Sequence, residues 1–312
     1  MPHSHHSHSG QFCKHAKGTL EEVILEAIRQ GFRVFGLTEH VPRYRITDLY
    51  PEEDGLSPQD LALQFSNFID EAHRLQEVYS DQITLLIGLE TEYILPADIH
   101  PLKSLLQSQR RRIEYIVGST HHVNGIPIDF DLETYQRAVA SCSSDPSKQL
   151  EAYLCAYFDA QYDLMNHLHP EIIGHFDLCR LYTPDLSLEK YPTVWEKVIR
   201  NIQFASDYGA LFELNAAAFR KGWSTAYPGE DVVAVIKEHG GRFALSDDSH
   251  GPHAVGLNYP RLLEYACTVG IKEMWYLERS QEPNIGGRFV GSRKVAGNWW
   301  EDSFWSKANN IS

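Results

Sequence analysis

Apolar positions along the chain alternate between two periods. TLEEVILEAIRQ carries them three and four residues apart, the spacing of one helix face. It is bounded by Thr19 with Glu22 three residues on, a capping box, and by Gly31 at its end. RVFGLT then reads as a buried strand that stops on Glu39 and His40. A polar loop over 41–55 follows, and Ser57-Pro58 opens a long helix running to about Tyr79. The pair of patterns repeats. ITLLIGLE ends on Glu90, and a helix over about 98–111 leads to IEYIVGST, ending on His121. EIIGHFD carries His175 and Asp177, LFELN carries Glu213 and Asn215, and RFALSDD runs into Ser249 and His250. The last three are separated by the helical stretches VWEKVIRNIQFASDY and EDVVAVIKEH. A final helix near 260–269 precedes KEMWYLE, a candidate eighth strand.

Strand–helix alternation predicts a parallel sheet with helical crossovers. With MPHSHHSH as the first strand, seven strands end in polar residues, which fits a TIM-like barrel with chemistry at the carboxyl ends of several strands. An open doubly wound sheet would gather its site at one switch point. No glycine-rich nucleotide motif is present. Residues 1–312 read as a single α/β domain, with a helical insertion at about 129–168 and an irregular tail from about 283.

Composition narrows the classes. The 312 residues are 43% hydrophobic and carry a formal charge of −14. No basic stripe offers a nucleic-acid surface, and no apolar run reaches the ~18 residues of a membrane helix. Five cysteines without a C-x-x-C, and an opening stretch without the apolar core of a signal peptide, point to a reduced, cytoplasmic protein. A homo-oligomer is compatible with the sequence.

The sixteen histidines carry the chemistry. His6-Ser7-His8 is an H-x-H pair, and residues two apart on a strand share a face. A histidine-rich start could instead be a tag, but serines interrupt it and no linker separates it from FCKHAKGTLEE. His15 follows in a loop. His40, Glu90, His121, His175, Asp248 and His250 end successive strands, giving nine nitrogen and oxygen donors at the mouth of a barrel. Imidazole and carboxylate suit zinc, manganese or iron, and nine donors imply two to three ions sharing a carboxylate. His73, His100 and His239 fall in helices, and His167 and His169 precede their strand, so these read as structural or surface residues.

HSHHSHSGQFCKHA, GLTEH, GLETEY, GSTHH, GHFDLCR, ELNAAAFRKG and SDDSHGPHAVGLNY occur in an order that resembles the PHP (polymerase and histidinol phosphatase) phosphoesterase superfamily, and within it the histidinol-phosphatases of fungal type. The resemblance spans residues 3–259. It implies a distorted (β/α)7 barrel and a metal centre held by His6, His8, His15, His40, Glu90, His121, His175, Asp248 and His250. It also implies hydrolysis of L-histidinol phosphate by metal-activated hydroxide, a step of histidine biosynthesis. Arg180 and Arg220 match phosphate-binding positions. Asp177 is the first choice for the general acid and His253 the second, and His122 is a candidate substrate contact. Glu92 or Glu213 would suit the substrate ammonium. The expected partner is a small phosphate ester, with neither nucleic acid nor membrane. An amidohydrolase would commonly place a lysine on the fourth strand, and IEYIVGSTHH has none.

Overall fold

The computed structural model describes residues 2–308. Seven parallel strands form one sheet: β1 (His3–Ser4), β3 (Val34–His40), β4 (Thr84–Glu90), β5 (Tyr115–Gly118), β8 (Ile172–Ile173), β9 (Leu211–Asn215) and β10 (Arg242–Ser246). Their order around the sheet follows the chain. Between β5 and β8, β6 (His122–Val123) and β7 (Ile126–Pro127) form a separate antiparallel pair. The first strand is interrupted at His5-His6. Its second piece, β2 (Ser7–His8), pairs instead with β11 (Ser249–His250), aligning Ser7 with Ser249 and His8 with His250. This short parallel pair closes the barrel at its carboxyl end.

Just below this pair, side chains join β1 to β10, which share no ladder. His3 Nε2 accepts the Leu245 amide N–H at 2.9 Å, and the Ser4 hydroxyl accepts the Asp247 N–H and donates to the Asp247 carboxylate. His3 and His5 are wholly buried, so the chain is tied down from its third residue, where termini commonly fray.

Alternation along the strands sets what the barrel holds. Val34, Leu86, Tyr115, Val117, Ile172, Leu211 and Ala244 pack as one interior cluster. The Tyr115 ring crosses this interior, and its hydroxyl donates to the His5 carbonyl. Gly36 and Gly88 make room for it: a Cβ at either would come within 2.0 Å and 2.7 Å of Tyr115 atoms. Two residues beyond Gly88 on the same face, Glu90 points into the mouth. The opposite faces of the strands pack against the helices, in a core that includes Phe35, Leu85, Ile87, Ile116 and Phe212.

The structure differs from the sequence reading in the last quarter. KEMWYLE does not add an eighth barrel strand. β12 (Trp275–Arg279) pairs antiparallel with β13 (Val290–Lys294), so the segment expected to be irregular from about 283 supplies half of a hairpin. Leu277 and Val290 join the interior cluster and plug the barrel's amino end. His5 Nε2 accepts the Leu277 N–H at 3.0 Å. Alternating polar and apolar residues cannot distinguish a barrel strand from a plugging hairpin, because both bury one face. The middle segment forms the helices Leu132–Ser141 and Gln149–Leu168, and SCSSDPS lies between and at the edges of them.

Candidate metal centre

Glu90 stands at the centre of the mouth, 1% exposed. One carboxylate oxygen lies 3.1 Å from His6 Nε2, 3.3 Å from His121 Nε2 and 3.2 Å from His175 Nε2. The other lies 3.3 Å from His8 Nε2 and 3.0 Å from His40 Nδ1. Asp248 approaches His6 and His8 at 3.6 and 3.7 Å. His15 and His250 stand beside them, with ring centroids 5.0 Å apart. All nine donors expected from the sequence therefore converge, drawn from β2, β3, β4 and β11, from the break between β1 and β2, and from the loops that follow β2, β5, β8 and β10.

Adjacent acids in SDD are given different tasks. Asp247 accepts the Ser249 and Gly256 amides and the Ser4 hydroxyl, holding the loop to the first strand. Asp248 has φ 47°, in the left-handed region that non-glycine residues rarely occupy. That conformation turns its carboxylate toward His6 and His8.

Outer carboxylates orient the imidazoles. His6 Nδ1 faces Glu213 at 3.2 Å, His8 Nδ1 faces Glu39 at 3.5 Å, and His121 Nδ1 faces Glu92 at 3.4 Å. His250 Nδ1 donates to the Asp248 carbonyl at 3.0 Å. The hydrogen bonds at His6 and His250 fix the tautomer and leave Nε2 with a lone pair aimed into the centre, while Glu39 and Glu92 stand at ion-pair distance from His8 and His121. Glu92 and Glu213 are thus committed to histidines and are not free for a substrate ammonium, as the sequence had suggested. Glu213 also accepts the His175 amide at 2.6 Å.

The donor set fits metal ions. Four ligands held tetrahedrally at about 2.0–2.1 Å would lie roughly 3.3 Å from one another. Glu90, His121 and His175 form a triangle with sides of 3.2, 3.2 and 3.3 Å. His6 Nε2, both ring nitrogens of His8 and of His40, His121 Nδ1 and His175 Nδ1 are buried without a hydrogen-bond partner. Such a density of orphaned nitrogens would be costly in a purely structural core. Charges agree. Burial opposes ionisation of Glu90, but His6, His121 and His40 outweigh it and hold its carboxyl well below the usual range. Burial likewise opposes charging His6, His40 and His121, and the surrounding carboxylates override it, raising all three. Burial and neighbouring imidazoles instead lower His15 to about 3 and His250 well below its usual value. Positive charge is therefore favoured around Glu90 rather than at every imidazole, and divalent ions can supply it there.

The centre opens into a cavity of about 390 Å³. Tyr50, Glu52, Asp129, Phe130, Arg220 and Tyr227 complete its walls. A larger hollow of about 740 Å³ lies at the plugged end, beside His167 and His169, and contains none of the nine donors.

Several expected substrate groups fall elsewhere. Arg180 donates five hydrogen bonds: two to Asp177, two to Asp231 and one to the Leu186 carbonyl. A guanidinium has five N–H groups, so none remains for a phosphate. Asp177 is wholly buried, bound by Arg180 and the Gly229 amide, and does not line the cavity. Burial pushes its carboxyl up, yet it has no route to a leaving group. His253 is exposed on the turn Pro252–Ala254, outside the cavity. His122 is buried behind Tyr50, their rings stacked at 6.3 Å. Spacing from a strand end could not tell these positions from Arg220, which does line the cavity. Arg220 donates to the carbonyls of Asp247 and Asp248 and keeps three further N–H groups.

Residues 4–217 match the profile of the PHP domain. The chain belongs to the PHP domain family. A Schizosaccharomyces pombe protein named probable histidinol-phosphatase is 48% identical over 98% of this chain and 97% of its own length. The Saccharomyces cerevisiae histidinol-phosphatase is 32% identical over 97% and 99%. Among solved structures, the Lactococcus lactis histidinol phosphate phosphatase, complexed with zinc, L-histidinol and phosphate, superposes with a TM-score of 0.63 at 18% identity, covering 88% of this chain and 95% of that one. The PHP fold is thereby shared over nearly the full length.

Substitution separates the two arginines. Arg220→Ala is expected to lower kcat/KM roughly ten- to hundredfold, the loss of a charge-assisted contact worth about 1.5–3 kcal/mol, with metal content intact. Arg180→Ala strands Asp177 in the core and should instead cost about 3–5 kcal/mol of stability. Steady-state kinetics and thermal melts read the difference, and equal kinetic losses without a change in melting would reverse the assignment.

Proposed function

We propose that the protein is a histidinol-phosphatase, hydrolysing L-histidinol phosphate to L-histidinol and inorganic phosphate. The observation that carries this reading is the convergence of nine donors, Glu90 at their centre, on the barrel mouth, in a chain whose full-length fungal relatives bear that name. His6, His8 and Asp248 with Glu90 suit one ion, Glu90 with His121 and His175 a second, and His15, His40 and His250 a third. Zinc, bound in the L. lactis structure, suits the imidazole-rich set. When bound, such ions lower the pKa of water from about 15.7 towards about 7 and neutralise charge on a phosphoryl group.

The protein's own groups do the rest. Glu213 holds His6 in the ligating tautomer, and Glu39 and Glu92 place negative charge beside His8, His40 and His121. Arg220 directs its unused N–H groups at phosphate oxygens. Tyr227, buried and unpartnered at its hydroxyl, stays protonated because burial raises its pKa, and can donate a hydrogen bond at the same wall. Phe130, stacked on Tyr50 and itself exposed, offers an apolar face for an imidazole, and Glu52 and Asp129 offer carboxylates for an ammonium. A cytoplasmic setting fits the five free thiols. No helix among the described residues is long and apolar enough to cross a membrane.

A screen of small phosphate esters with metal-replete protein tests the substrate. Histidinol phosphate should be turned over with the highest kcat/KM, and preference for another ester would sink the assignment. Elemental analysis should find two to three equivalents of transition metal, and chelation should abolish turnover until zinc is restored. Full activity with one equivalent or fewer would exclude the multinuclear centre.

A further inference from the structure

The nine donors do not account for every ligating atom in the mouth. The turn after β2 is pinned by the Cys13 amide donating to the Ser9 carbonyl and by the Lys17 amide donating to the His250 carbonyl. This brings Cys13, two residues before His15, to the same side as His15. Its Sγ lies 3.2 Å from His15 Nε2. The sulfur and one ring nitrogen each of His15, His40 and His250 all lie within 4.8 Å of one another. Cys13 is 6% exposed. Beside it, His8 is 1% exposed with both ring nitrogens unpartnered, and His40 Nε2 is buried and unpartnered.

We propose that Cys13 is a metal ligand, completing a four-donor set with His15, His40 and His250. The proposal rests on the multinuclear reading above. One sulfur at about 2.3 Å and three nitrogens at about 2.0–2.1 Å would place sulfur roughly 3.5 Å from each nitrogen, close to the observed 3.2 Å. Binding as the thiolate releases the thiol proton to solvent. Two consequences follow from the donor chemistry. A soft sulfur ligand favours zinc over manganese at this position. Four protein donors also fill a tetrahedral shell, as in sites where zinc is structural. The ion held here would thus clamp the turn after β2 to the barrel. The triangle of Glu90, His121 and His175 supplies only three donors and keeps a position for substrate.

Cobalt substitution tests this with a readout independent of turnover. Fully loaded wild-type protein should show thiolate-to-cobalt charge-transfer absorption, and zinc X-ray absorption should require a sulfur scatterer at about 2.3 Å. Cys13→Ser should lose both signals and bind one equivalent at least tenfold more weakly. Cys13→His, which restores a donor, should recover that equivalent without the sulfur signal. Three bound equivalents with no sulfur signature, or a signature that survives Cys13→Ser, would overturn the role of Cys13 and leave the metal centre standing. Uptake of one equivalent or fewer by wild type would overturn the multinuclear reading and this proposal with it.

Discussion

Glu90→Gln is expected to remove at least one metal equivalent and to lower kcat/KM by about a thousandfold or more, roughly 4 kcal/mol of transition-state stabilisation. The reason is the position of its carboxylate. One oxygen faces His6, His121 and His175, and the other faces His8 and His40, so a single side chain joins two donor groups. An amide keeps the shape but loses the charge and turns an N–H toward one group. Glu92→Gln is the calibrating comparison. Among the described residues, the Glu92 carboxylate pairs with the Nδ1 atoms of His40 and His121 and with the Arg43 guanidinium, so its loss should cost the 10–100-fold of an orienting carboxylate. Metal analysis and kinetics on both variants decide the matter. A Glu90→Gln enzyme with full metal content and more than a tenth of wild-type kcat/KM would remove Glu90 from the centre.

Histidines within one short stretch should separate into two kinds. His6→Ala/His8→Ala removes two donors and should abolish nearly all turnover together with an ion. His3→Ala/His5→Ala should leave the donor set whole and instead destabilise the fold. It strips the acceptors from the buried amides of Leu245 and Leu277. Each orphaned N–H costs about 1–3 kcal/mol, with the cavities adding more. A fall in Tm on the order of 10 °C follows. Melting curves recorded in chelator isolate this effect from metal loss. An unchanged Tm for the His3/His5 variant would show that their imidazoles do not close the barrel.

What the sequence revealed follows from which interactions are local. Strand ends were legible because buried apolar runs stop abruptly on Glu90, His121 or Asp248, and parallel strands present those ends to a common mouth. The carboxylates behind the imidazoles were not legible as such, since Glu39 and Glu92 meet their histidines across strands whose register the sequence does not state. Arg180 and Arg220 each sit five residues past a strand residue that faces the mouth. Only the presence of Asp231, brought in from a later helix, separates a saturated guanidinium from an available one. The hairpin plug was hidden for a similar reason, because nothing local in KEMWYLE records that Leu277 meets His5.

The pairing of β2 with β11 has a consequence for how the molecule is made. Ser4 and Asp247 are 243 residues apart in the chain, yet the barrel closes only when they meet. At about 5–20 residues per second, the first histidine pair waits roughly 12–50 s on the ribosome before Asp248 and His250 emerge. During that interval His6 and His8 lack their closing strand β11, and Ser4 lacks Asp247. Contacts of such long separation form late, so ion capture should be among the last events of biogenesis. Nascent chains halted before residue 250 should accordingly remain protease-sensitive in the first strand and hold zinc weakly, however long they are given.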